Sequence, residues 1–192
     1  MLEWLKMIIN KDTIIKDNNP LIREKSEDVS IPLSKEDKEL LMDMLTYVNE
    51  STDDEIAEKK NLQPAVGISA IQVGIKKKLL AIVIKNEEGK VLYEYALANA
   101  KVVSNSIEKT YLKAGEGCLS VPEMHEGYVN RSARIKVKAY DALKDENVVI
   151  EASGYIAVVL QHEIDHFKGI LYYDYINKTN PLLELPGSIP IE

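Results

Sequence analysis

The sequence is poor in cysteine, tryptophan, phenylalanine and histidine, with one, one, one and three of them in 192 residues. A lone cysteine excludes an internal disulfide. Packing must therefore hold the fold, and the thiol is left to be structural, catalytic or a ligand. Positive charge is also in deficit. A formal net charge of −7 supplies no general attraction for phosphate backbones or anionic lipid, so neither specific nucleic-acid binding nor membrane association is expected. The Met1–Asn10 start contains Glu3 and Lys6, lacks a small-residue cleavage site and is too short to span a bilayer. These absences predict a cytoplasmic protein, and there is no internal repeat or low-complexity tract.

What is present is an ordinary balance for a folded chain, 45% hydrophobic and 29% charged, with a length that suits a single domain over residues 1–192. Ser34, with Asp37 three residues on, resembles a capping box, and Leu40, Leu41, Met44, Leu45 and Val48 follow at helical spacing. The charged stretch 51–60 reads as a surface connection, partly helical. Lys78–Lys85 is an apolar run of strand length, and after a turn at Asn86–Gly89 its partner is expected at Val91–Ala98. Ala133, Ile135, Val137 and Ala139 alternate with Arg134, Lys136, Lys138 and Tyr140, which predicts a strand with one face in and one out. Val148–Ala152 should pair with it. A helix is expected over Gly154–Lys168, stopped by Gly169, and Ile189–Ile191 in the proline-rich tail as a short edge strand. Strands followed by one central helix indicate an α+β fold.

The chemical signal is concentrated in Gln161-His162-Glu163-Ile164-Asp165-His166. Residues four apart share a helix face, so His162 and His166 can present two imidazoles to one ion. Glu163, about 100° further round, can reach a water at that ion without binding the ion itself. Catalytic sites of this kind usually take three protein ligands and keep one position open. Cys118, in Gly115-Glu116-Gly117-Cys118-Leu119-Ser120, is the candidate third ligand, although a lone intracellular cysteine is commonly a small buried hydrophobe. Val158 and Val159, one turn before the histidines, can form an apolar wall.

Glu116–Ser120 (EGCLS) and Gln161–His166 (QHEIDH) match the second and third motifs of peptide deformylases, and the chain resembles that family, in particular its longer class from Gram-positive bacteria and their relatives. The family's first motif, usually G-x-G-x-A-A-x-Q, reads Ala65-Val66-Gly67-Ile68-Ser69-Ala70-Ile71-Gln72 here, with Ala65 and Ser69 as departures. The resemblance implies antiparallel and mixed sheets around a central metal-binding helix, with an N-terminal helix and the tail as an edge strand. It implies hydrolysis of the formyl amide of N-formylmethionyl peptides, releasing formate. Cys118, His162 and His166 would hold the ion, Fe²⁺ in the cell, with Ni²⁺, Co²⁺ or Zn²⁺ as replacements, and Glu163 would carry the proton. The Gln72 side-chain amide and the Leu119 N–H would stabilise the oxyanion. Val66, Gly67 and Ile68 would offer backbone bonds to an extended peptide, and Val158 and Val159 would line a methionine slot. Glu116, Arg131 and Asp165 would form an ion network behind the metal helix. A monomer with at most transient ribosome contact is expected.

Two other readings fit parts of the pattern. One is a zinc endopeptidase of the H-E-x-x-H kind, with a downstream acid such as Asp174 as third ligand. The other is a non-catalytic module that keeps the fold and binds peptide ends or ribosomes, against which the intact Glu163 and Gln72 argue.

Overall fold

The computed structural model describes residues 8–192. Most of the Met1–Asn10 stretch therefore lies outside the described residues. Helix α1 (Lys35–Ser51) begins where its cap was expected, with Ser34 Oγ accepting from the Asp37 N–H at 3.1 Å. The Asp37 carboxylate does not complete a capping box; it pairs with Lys77 at 2.6 Å. The charged connection contains a short helix, α2 (Asp54–Lys60), ended by Asn61 in a left-handed conformation.

Eight strands follow in the chain: β1 (Gly67–Ser69), β2 (Leu79–Lys85), β3 (Val91–Asn105), β4 (Lys109–Leu112), β5 (Arg131–Ser132), β6 (Arg134–Asp141), β7 (Glu146–Ser153) and β8 (Ile189–Ile191), with helix α3 (Tyr155–His166) between the last two. Among them, β1-β2-β3-β6-β7 form an antiparallel sheet, and β5-β4-β8 form a small mixed sheet in which β8 runs parallel to β4. The α+β architecture with a C-terminal edge strand is thus present.

The unbroken apolar run of β2 is explained by what covers the sheet. Leu79, Ala81 and Val83 pack in one cluster with Leu41, Met44 and Val48 of α1. Leu80, Ile82 and Ile84 pack in another with Ile156, Leu160 and Ile164 of α3. With both faces buried, period-two polarity has no reason to appear, and each fully buried aliphatic side chain contributes roughly 1.5–3 kcal/mol.

Two expectations need correction. The partner of β2 does not stop at Ala98 but continues to Asn105, because its second half changes neighbour and pairs with β6 through two register shifts. Tyr140 does not point to solvent with the lysines of β6. It is buried in the α1-side cluster, and its hydroxyl bonds Asp145.

Helix α3 starts after Gly154, whose φ of 65° favours glycine. Its end is set by Gly169, at φ 70°, where an added Cβ would lie 2.0 Å from the Arg23 carbonyl oxygen. Its Ile156, Leu160 and Ile164 face thus grips the sheet, while Val158, His162 and Glu163 line a cleft and Gln161 bonds Ser132 of β5.

Candidate metal centre

Cys118 follows β4 on a loop that turns at Gly115, φ 78°, and closes through the Val121 N–H bond to the Cys118 carbonyl at 3.0 Å. This brings the thiol to α3. Cys118 Sγ stands 3.4 Å from His166 Nε2, and the ligand atoms of Cys118, His162 and His166 all lie within 4.8 Å of one another. A tetrahedral ion with sulfur and nitrogen bonds of about 2.3 and 2.05 Å separates such donors by about 3.5 Å, so the observed spacing fits a shared cation.

Electrostatics and hydrogen bonding agree. His162 Nδ1 is 2.8 Å from Glu116 Oε2, which turns Nε2 toward the sulfur and fixes the ring. Burial works against a charge on His162, yet its partners Cys118 and Glu116 raise its proton affinity well above the usual value. A proton and a metal ion would compete for His162 Nε2. Burial, with His162 nearby, lowers His166 well below its ordinary value and keeps it the neutral imidazole that a ligand must be.

Behind His162 the expected ion network is present and buried. Arg131 Nε and Nη2 bond the two oxygens of Glu116 at 2.5 and 2.8 Å, and Nη1 bonds Asp165 at 2.9 Å. Burial tends to raise the Glu116 carboxyl, but the Arg131 and His162 bonds override it and hold it at about 2. One carboxylate thereby ties a metal-helix histidine to a strand, since Arg131 sits on β5.

Glu163 is buried beside the histidines. Burial raises its pKa, with the charge of His162 and a hydrogen bond from Ser69 pulling the other way. Ser69 Oγ lies 2.8 Å from Glu163 Oε2. Gly67 is required for space, not for its backbone angle: an added Cβ would stand 2.6 Å from Glu163 Oε1. Ala65, the other departure from the first motif, is not among the positive-φ residues, so alanine is unstrained there. Gln72 is buried, with Nε2 3.6 Å from Cys118 Sγ and 3.2 Å from Ser120 Oγ.

A cleft of about 360 Å³ opens on this centre. Val66, Gly67, Val158 and Val159 line it, as do Gln72, Leu119 and Glu163. Ile68 does not. Its side chain is fully buried in the α1-side cluster, and it pairs with Ala81. The Val66 carbonyl accepts from Val83 N–H at 3.0 Å, so by the alternation of antiparallel ladders Ile68 also turns its backbone groups to β2, while those of Gly67 face away from it. Leu112 and Tyr155 are also in the lining, and no pattern in the sequence singles them out. Asp174 is elsewhere: it pairs with Arg23 and accepts from the Leu171 N–H at 2.9 Å.

Three candidate donors beside a cleft are the arrangement that mononuclear metallohydrolases use. The polypeptide deformylase family matches residues 11–181. Peptide deformylase 2 of Bacillus subtilis (strain 168) is 46% identical over 185 residues, covering 96% of this chain and 100% of that protein. The peptide deformylase of Oceanobacillus iheyensis is 46% identical over 186 residues, covering 97% of this chain and 100% of that protein. Among solved structures, peptide deformylase from Thermus thermophilus superposes with a TM-score of 0.68 at 30% identity, covering 87% of this chain and 86% of that one. The chain therefore belongs to the peptide deformylase family, metal-dependent hydrolases that remove the N-formyl group from newly made polypeptides.

Proposed function

We propose that Cys118, His162 and His166 hold one divalent ion and that Glu163 carries the proton during hydrolysis of N-formylmethionyl peptides. The observation that supports this most is the meeting of one sulfur and two imidazoles within 4.8 Å beside a buried carboxylate. Bound there, the ion supplies Lewis acidity, lowering the pKa of a water and polarising a carbonyl oxygen. Donor type alone admits iron, nickel, cobalt or zinc; the family resemblance favours Fe²⁺ in the cell, with the others as replacements.

The remaining work falls to the chain. Glu163 takes a proton from the attacking water and returns it to the departing nitrogen. The Gln72 amide and the Leu119 N–H donate to the oxygen on which negative charge develops. The outward N–H and C=O of Gly67 pair with an extended peptide as an added strand. Val158 and Val159, with Val66, give the methionine side chain an apolar wall. The protein is read as a single catalytic domain, monomeric and cytoplasmic, touching the ribosome only transiently. In support, no helix among the described residues is long and apolar enough to cross a membrane, and the net charge is negative.

The test is formate release from formyl-Met-Ala-Ser by anaerobically purified protein, with metal content measured on the same samples. Glu163→Ala should abolish turnover and keep its metal, and His162→Ala should lose both. Equal turnover by wild type and Glu163→Ala would remove the assigned proton carrier.

A further inference from the structure

Ser69 stands where the family's first motif usually has alanine, and its side chain is fully buried. Its hydroxyl oxygen lies 2.8 Å from Glu163 Oε2 and 2.9 Å from the Glu163 carbonyl oxygen. That carbonyl sits in the last turn of α3, where the Phe167 N–H bonds Ile164 O at 3.2 Å and the Lys168 N–H bonds Asp165 O at 2.9 Å. The Ser69 hydroxyl is thus offered two acceptors on one residue and has a single hydrogen to give.

We propose that Ser69 is a positioning residue for Glu163, pinning Oε2 and leaving Oε1 as the oxygen that exchanges a proton in the cleft. The inference rests on the reading of Glu163 as proton carrier and deepens it. While Glu163 is charged, the hydroxyl donates to Oε2. Once Oε1 has taken the water proton, the carboxyl group is neutral, and Oε2, now its carbonyl oxygen, still accepts from the Ser69 hydroxyl. The proton on Oε1 then leaves to the departing nitrogen, and Ser69 neither gains nor loses a proton over the cycle.

Two further observations fix the geometry. Oε1 lies against Gly67, 2.6 Å from where a Cβ would stand, and Gly67 lines the cleft. Ser69 itself cannot drift, because its N–H donates to Gln72 Oε1 at 2.8 Å and it pairs with Leu80. Alanine would preserve the packing and leave buried Oε2 without this partner.

Ser69→Ala, wild type and Glu163→Ala should be compared on metal-loaded, anaerobically purified protein with formyl-Met-Ala-Ser. A hydrogen bond to a charged group corresponds to a loss of about 10- to 100-fold. The expected result for Ser69→Ala is that loss in kcat, with KM within about two-fold of wild type and metal content unchanged. An unchanged kcat, whether or not thermal stability falls, overturns the proposal, since it leaves Ser69 only a carbonyl to satisfy. So does a fall in kcat that tracks loss of metal. If instead Glu163→Ala is fully active, the reading of Glu163 fails first, and the two failures are told apart on the same plate.

Discussion

The Ser69 N–H donates to Gln72 Oε1 at 2.8 Å, and this bond decides which end of the amide meets the metal centre. With the oxygen engaged, Nε2 is directed at Cys118 Sγ and Ser120 Oγ. Gln72→Ala should therefore lower kcat by about 100- to 1000-fold, the usual effect of losing one oxyanion donor, and leave metal content at the wild-type level. Steady-state kinetics and metal analysis on the same preparation check this, and a loss confined to KM would contradict it.

Arg131 is buried between two carboxylates. Arg131→Met should destabilise the fold by about 3–5 kcal/mol, because it leaves buried Glu116 without its guanidinium partner and Asp165 with Lys168 as its remaining counter-charge. Ion affinity should also fall about 10- to 100-fold as Glu116 loses its hold on His162. Urea denaturation and chelator competition measure the two effects separately.

Acid should reveal the same network. Glu116 titrates at about 2 in the fold against an ordinary 4.5. Because its folded value is the lower one, the charged form stabilises the native state. That contribution is complete above pH 4.5 and is lost as pH falls from there toward 2. Glu116→Gln should flatten this part of the curve of urea midpoint against pH. An identical slope in variant and wild type would show that other carboxylates dominate.

Two glycines should behave oppositely on replacement by alanine. At Gly67 the three atoms nearest the new methyl all belong to the Glu163 side chain, Oε1 first, so the fold should survive while kcat drops at least about 10-fold as the carboxylate is displaced. At Gly169 the methyl would meet the Arg23 backbone from a left-handed conformation. A loss of stability above about 2 kcal/mol is expected there. Thermal melts beside activity assays separate the two cases.

The parts of the site that rest on local spacing were legible in the sequence. His162 and His166 are four apart on a helix, and Glu163 lies between them; no tertiary knowledge is needed to put them together. Ser34 announced α1 by its side chain. The bends in the fold were not legible in this way. Nothing near Ser69 signals a contact with a residue 94 positions away, so it read only as a departure from a motif. In a three-residue strand, alternation cannot be phased from letters, so Ile68 reads like Gly67 although they face opposite ways. The full reach of β3 was hidden because its second half takes a different neighbour.

β1 is an outer strand of its sheet only three residues long, and all three residues are buried. On the proposed pairing of Gly67 with the substrate, a chain end whose amide groups are already engaged in its own fold cannot add to so short and buried an edge. Only a slack, unspent terminus can thread in. With Gly67 pairing the peptide as proposed, the cleft favours polypeptides whose first residues are not yet held in a fold.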